Sequence, residues 1–141
     1  YLGIALKQLI TARKVSCTLT LEDKVHDKKE SVELPRFLFV TCMSHRYEGG
    51  GFMFCPPAVD HDGGLDLCSV GNISKGLVLL ALPTAFFGKH YFVKGINAHT
   101  ATQMSITASA PLWVHTDGEV TRKSRGFRVE CLPGAIRMIT P

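Results

Sequence analysis

The sequence predicts a mainly β domain: an antiparallel β-sandwich with one N-terminal helix and one short internal helix. Three observations carry that expectation. Short alternating runs recur along the chain, separated by turn residues at roughly 8–12-residue spacing. Residues 37–43 are almost continuously apolar and rich in aromatic and β-branched types, the pattern of a central strand. Helical periodicity is confined to residues 1–12 and to a brief span after Ser74. At 141 residues the chain predicts a single domain spanning 1–141. A domain of that size buries roughly two-thirds of its unfolded surface, enough for a core of its own.

The elements follow in order. Leu2, Leu6 and Leu9 fall at helical spacing, with Ala5 and Ile10 widening the stripe, so residues 1–12 read as an amphipathic helix. The period then switches. Val15, Cys17, Leu19 and Leu21 alternate with Ser16, Thr18 and Thr20, a half-buried strand. Residues 22–29 are a charged connection, residues 31–34 alternate again, and the apolar strand 37–43 follows. Residues 44–51 form a loop ending in three glycines. Pro56-Pro57 breaks the next strand, residues 59–64 are a second loop, and 65–70 is a strand. Ser74 is placed to cap a helix running through Leu77, Leu80 and Ala81, with Gly88 beyond its end. Residues 100–107, 113–115, 118–121, 127–131 and 136–139 read as further strands.

Composition narrows the function classes. No apolar run approaches the ~20 residues of a spanning helix. The net charge of +4 is too mild to announce nucleic acid. The densest basic cluster is Arg122, Lys123, Arg125 and Arg128. It reads first as a solvated edge, and as a phospholipid-facing surface only if a membrane substrate is argued separately. The five cysteines include no C-x-x-C pair. Their odd number and mostly apolar settings suggest core residues in a reducing compartment, without disulfides. The chain opens on Tyr1 rather than Met, so the natural N-terminus is expected to lie upstream.

Three segments stand out. In the first, Gly49, Gly50 and Gly51 precede Phe52-Met53-Phe54-Cys55-Pro56-Pro57. No Gly-Lys-Ser/Thr follows, and a strand rather than a helix comes next, so neither a Walker A loop nor a dinucleotide fingerprint fits. A tight bend is the better reading of the glycines alone. The second runs Val59-Asp60-His61-Asp62-Gly63-Gly64-Leu65-Asp66. Its oxygen donors suit a hard cation such as Mg²⁺. Asp-Gly is equally a turn signal, and the two readings stand about even. His61 is assigned no metal. The third runs Trp113-Val114-His115-Thr116-Asp117-Gly118-Glu119-Val120, where Asp-Gly between strand-like runs is a strong hairpin signal. A hairpin whose Glu119 points to water is favoured by spacing alone. The functional reading puts two carboxylates, Asp117 and Glu119, at a rigid turn, one of which would accept a hydroxyl proton provided it reaches within about 3 Å. No Ser is flanked as in a nucleophile elbow.

Taken together and in this order, these segments resemble the C-terminal domain of the diacylglycerol kinase/sphingosine kinase superfamily, with its bacterial lipid kinase branch looking closest. Ser74-Lys75-Gly76-Leu77, Gly88-Lys89-His90 and Val129-Glu130-Cys131-Leu132-Pro133-Gly134-Ala135-Ile136 complete the likeness, which covers essentially the whole chain. The resemblance implies a two-domain kinase fold whose N-terminal α/β domain binds ATP through a Gly-Gly-Asp-Gly-Thr loop. That stretch does not occur in this sequence, so the resemblance implies that the chain is a fragment: the C-terminal half without its nucleotide-binding partner domain. It further implies that Glu119 is the general base for a lipid alcohol and that Asp117 and Gly118 fix the turn that aims it. Asp62 is implied as a structural Mg²⁺ ligand, with the carbonyls of Val59 and Gly64. The glycine run Gly49, Gly50 and Gly51, with Gly118, would face the cleft that holds ATP. Where relatives carry a hydrophobic pair after Asp-Gly, this chain has Gly64-Leu65.

The expected protein is therefore a cytoplasmic, peripherally membrane-associated lipid kinase, inactive when reduced to this half. A sphingoid base is the competing substrate. A non-catalytic β-sandwich for binding or assembly is the competing class, since sandwiches host many unrelated functions.

Overall fold

The computed structural model describes residues 11–136. Six strands form one antiparallel sheet: β1 (Val15–Asp23), β2 (Lys28–Met43), β3 (Leu65–Gly71), β4 (Ile96–Ala101), β5 (Gln103–Thr116) and β6 (Glu119–Glu130). Their order in space is β4-β3-β2-β1-β5-β6. One α-helix, α1 (Lys75–Ala81), and two 3-10 helices, Leu82–Phe87 and His90–Phe92, connect β3 to β4. The predicted helix over residues 1–12 lies, but for its last two residues, outside the described residues. The predicted strand 136–139 does so too, apart from Ile136.

In β1 the alternation of the sequence becomes alternation of burial. Cys17, Leu19 and Leu21 are buried and the threonines between them are half-buried. The turn into β2 is locally encoded, because Asp23 Oδ1 accepts the N–H groups of Val25 and His26 at 3.0 and 3.2 Å. β2 is one 16-residue strand where the sequence predicts two. Pro35, which has no N–H to give a ladder, lies between the two predicted runs. The structure resolves this with an irregularity: Leu34 pairs with Cys17 and Phe37 with Val15 across a slipped register. The first half of β2 pairs with β1 and its second half, to Met43, pairs with β3. One strand thus belongs to both layers.

The layers close at a corner the sequence reads as continuous strand. Residues 100–107 split at Thr102, whose N–H donates to Glu22 O at 2.9 Å. β4 therefore ends beside β1, although two strands separate them in the sheet order. The curled sheet encloses a core in which Leu65, Leu67 and Ala101 meet Leu19, Met104 and Ile106. A second apolar layer, containing Cys55, Cys68, Val70, Val78 and Ala81, packs the helical connection onto the other face of β3. β3 is consequently buried along all seven residues. Full burial of side chains such as Leu19, Leu67 and Met104 is worth roughly 1.5–3 kcal/mol each. Cys17, Cys55 and Cys68 are part of these layers, and burial pushes the Cys55 thiol up to about 12.

The runs predicted at 113–115, 118–121 and 127–131 merge into the long pair β5 and β6. Thr107 pairs with Gly126 and Leu112 with Ser124, so residues 108–111 stand against Arg125 alone. Pro111, without an N–H, lies in that bulge. Among the described residues no helix is long and apolar enough to cross a membrane.

Candidate functional site

Thr116 and Glu119 are the last pair of the β5–β6 ladder, joined only by Asp117 and Gly118. Both linking residues have positive φ, 51° and 84°, which defines the turn type whose twist matches a hairpin. Glycine carries the second position without strain, and aspartate tolerates the first. Glu119 is exposed at the tip. The pairing of β1 with β5 ends at Cys17 and Ala108, so among the described strands only β6 accompanies β5 beyond that point. Residues 113–123 thus form an arm standing out from the sandwich, with Leu112 at its base packed against the core. Thr121 Oγ1 donates to Val114 O at 3.0 Å, and Lys123 Nζ sits 4.3 Å from the centre of the Trp113 ring.

The second segment folds into a carboxylate-capped loop. Asp62 Oδ1 accepts the N–H of Gly64 at 2.7 Å. Gly63, at φ 76°, passes so close to Pro133 that a Cβ there would meet its Cγ at 3.1 Å. Asp66 is buried at the loop's exit, and Thr100 Oγ1 donates to its Oδ1 at 3.3 Å. Burial raises the Asp66 carboxyl above its ordinary value, opposed by that hydrogen bond and reinforced by the negative charge of Asp62. Asp60 and His61 pair with each other in solvent at 2.8 Å. Among the described residues no three His, Cys, Asp or Glu side chains converge as a metal cluster. A cation here would draw on Asp62 and backbone carbonyls, an oxygen set that suits Mg²⁺ rather than a transition metal. The charge it would bring would offset the repulsion that Asp62 exerts on Asp66.

The glycine run is a tight loop. Glu48 N–H donates to Phe52 O at 2.8 Å and Gly51 N–H to Glu48 O at 3.2 Å. Gly50 and Gly51 have φ of 84° and 85°, so glycine is needed there for conformation. A Cβ on Gly49 or Gly51 would meet nothing within 4 Å. Phe52 then stacks on Phe86 at 4.2 Å, fixing the loop to the helical connection.

These segments do not form one cluster. The Asp62 loop touches Pro133, just past the C-terminal end of β6, whereas Glu119 is the first residue of β6. The strand between them is 12 residues long, a contour of about 40 Å at ~3.3 Å per residue. The basic cluster also divides: Arg128 pairs with Gln103 and with Glu130, away from Arg122, Lys123 and Arg125.

Sequence reasoning passed over the partners of Phe54. Its carbonyl accepts from Tyr91 Oη at 2.6 Å and from His90 Nε2 at 3.1 Å. His90 is 2% exposed and burial lowers its pKa. The signal available was a histidine and a tyrosine adjacent in an apolar stretch, facing a broken strand.

Comparison with known proteins adds a family match, two relatives and a solved structure. A family model described as the YegS C-terminal NAD kinase β-sandwich-like domain matches residues 1–140. A protein of Xanthomonas euvesicatoria pv. vesicatoria (strain 85-10), named "Probable lipid kinase YegS-like", is 35% identical over 98 residues, covering 68% of this chain and 31% of that protein. A protein of the same name from Stenotrophomonas maltophilia (strain K279a) is 29% identical over 97 residues, with the same shares. The matched stretch thus spans under a third of these relatives. A crystal structure of a diacylglycerol kinase from Bacillus anthracis str. Sterne has the same fold, with a TM-score of 0.60 and 20% identity over 94% of this chain and 44% of that one.

Proposed function

Because this chain belongs to the YegS C-terminal NAD kinase β-sandwich-like family, we propose that it is the C-terminal domain of an ATP-dependent lipid kinase in which Glu119 is the general base. The substrate we assign is the hydroxyl of diacylglycerol or a related lipid. The protein would work in the cytoplasm, peripherally associated with a membrane surface, together with an N-terminal nucleotide-binding domain.

The observation that carries this reading is the position of Glu119: exposed, first in its strand, behind a two-residue turn, on an arm clear of the sandwich. A carboxylate buried in a core could not meet a lipid hydroxyl, and one on a long loop would be aimed poorly. Two strands without a third are marginal in water, so the arm gains most when a second domain and substrate lie against it. Glu119 would accept the hydroxyl proton as the lipid oxygen bonds to phosphorus. Asp117 and Gly118 would hold its direction. ATP, bound mainly by the other domain and approached by Gly49, Gly50, Gly51 and Gly118, would supply its γ-phosphoryl group, with the bond to the β,γ-bridging oxygen breaking and ADP leaving. Asp62, with the carbonyls of Val59 and Gly64, would hold Mg²⁺ and stiffen the loop far from the reacting oxygen. Phosphoryl transfer is mostly positioning and charge stabilisation, so a correctly aimed base contributes about 10²–10⁴-fold.

The test is Glu119→Gln in the longer protein, assayed with diacylglycerol and with a sphingoid base. We expect kcat to fall at least a hundredfold while the KM for ATP holds. Retention of full turnover would return Glu119 to the role of a turn residue. The preferred alcohol decides between the two lipids.

A further inference from the structure

The helical connection between β3 and β4 turns its apolar side chains in two directions. Val78, Ala81 and Ala85 are buried against the sheet. Leu77 and Leu80, neighbours at i,i+3 spacing on α1, are instead 42% and 75% exposed. Phe87 and Phe92, on the following 3-10 helices, are 75% and 89% exposed, and Phe86 is 46% exposed while stacking on Phe52. Exposed apolar groups gathered on one short connection mark a contact surface rather than ordinary surface scatter.

The formal charges carried by the connection itself are of one sign. No aspartate or glutamate occurs between Asp66 and Asp117, whereas Lys75, Lys89 and Lys94 fall within the connection and Lys89 and Lys94 are exposed. Leucine and phenylalanine flanked by lysines, without acids, is the composition of a surface that enters the headgroup boundary of an anionic bilayer. Lysine stems can lie along the apolar part while their ammonium groups meet phosphates. The β5–β6 arm differs, because Asp117 and Glu119 stand among its basic residues.

We propose that the face formed by Leu77, Leu80, Phe87 and Phe92 with Lys89 and Lys94 docks the protein on anionic phospholipid membranes. This rests on the membrane association proposed above and names the face that carries it; docking itself needs neither ATP nor Glu119.

The test uses the full 141-residue chain and vesicles of phosphatidylcholine with or without phosphatidylglycerol, in the absence of ATP. Sedimentation with the anionic vesicles should be at least tenfold stronger than with the neutral ones and should weaken as salt rises. Leu80→Ser/Phe87→Ser/Phe92→Ser and Lys89→Glu/Lys94→Glu should each lower it at least tenfold. Their melting curves should match the parent, because these positions are exposed. Trp113, the single tryptophan, lies on the arm and should keep its emission wavelength when vesicles are added. Phe87→Trp in a Trp113→Phe background should instead shift to the blue. Undiminished binding by both multiple variants would overturn the proposal, as would a blue shift of Trp113 itself. So would self-association relieved by the serine variant without vesicle binding, which would make a second copy the occupant.

Discussion

His90 illustrates how much a single side chain depends on its surroundings. Its ring is buried, with Nε2 on Phe54 O, while its Nδ1 has no hydrogen-bond partner among the described residues. Burial lowers its pKa from the ordinary 6.5, and burial does the same to His99 beside Ser69. The unfolded chain therefore takes up protons near pH 6.5 that the folded chain refuses. Stability is complete above that pH and is lost as pH falls towards the lower folded values. The carboxyls held below their usual range, Glu22, Asp23, Asp60 and Glu130, respond only at more acid pH. Asp66, shifted the other way, opposes the loss once it begins to protonate. The melting temperature should thus fall between about pH 7.5 and 5.5, and His90→Gln should flatten that slope. An equally steep slope in the variant would assign the proton uptake elsewhere.

At the scale of elements, the loop before β3 and the arm after β5 answer to different forces. The loop is held by one carboxylate on one N–H and by Gly63 against Pro133. Asp62→Ala removes that hydrogen bond, and melting should drop by a few degrees, on the order of 1 kcal/mol. If Asp62 also holds Mg²⁺, added Mg²⁺ should raise the melting temperature of the parent and leave the variant unmoved. Equal responses of the two proteins would remove the cation. The arm is held by pairing between its own two strands, with the bulge at residues 108–111 where it leaves β1. Its tip was legible because the Asp-Gly signal is local. Its length was not: Pro111 interrupts the alternation, and a bulge of four residues against one leaves no sequence period to follow.

For the whole molecule, the proposed chemistry requires more than this chain carries. Without a nucleotide held in line, a base at the hairpin tip has nothing to act towards, so the 141-residue chain should not phosphorylate lipid in the presence of ATP and Mg²⁺. Incorporation of label from γ-labelled ATP into diacylglycerol by this chain alone would refute that expectation. Vesicle docking by the same preparation would be unaffected, which keeps the two functions separable.

By itself the sequence determined what short range determines. The alternation of Cys17, Leu19 and Leu21, the apolar run through Phe39, the Ser74 cap and the two-residue turn at Asp117-Gly118 all arise from neighbours in the chain. So does the set of motifs by which the family is recognised. Only the tertiary structure decided that Thr102 turns a corner by bonding to Glu22, that β2 serves two layers across Pro35, and that Asp62 and Glu119 stand at opposite ends of β6. It also decided that Val78, Ala81 and Ala85 after Ser74 are core whereas Leu77, Leu80, Phe87 and Phe92 are surface. These outcomes depend on the curling of a sheet whose partners are distant in sequence, and no local period encodes which residues that curl brings together.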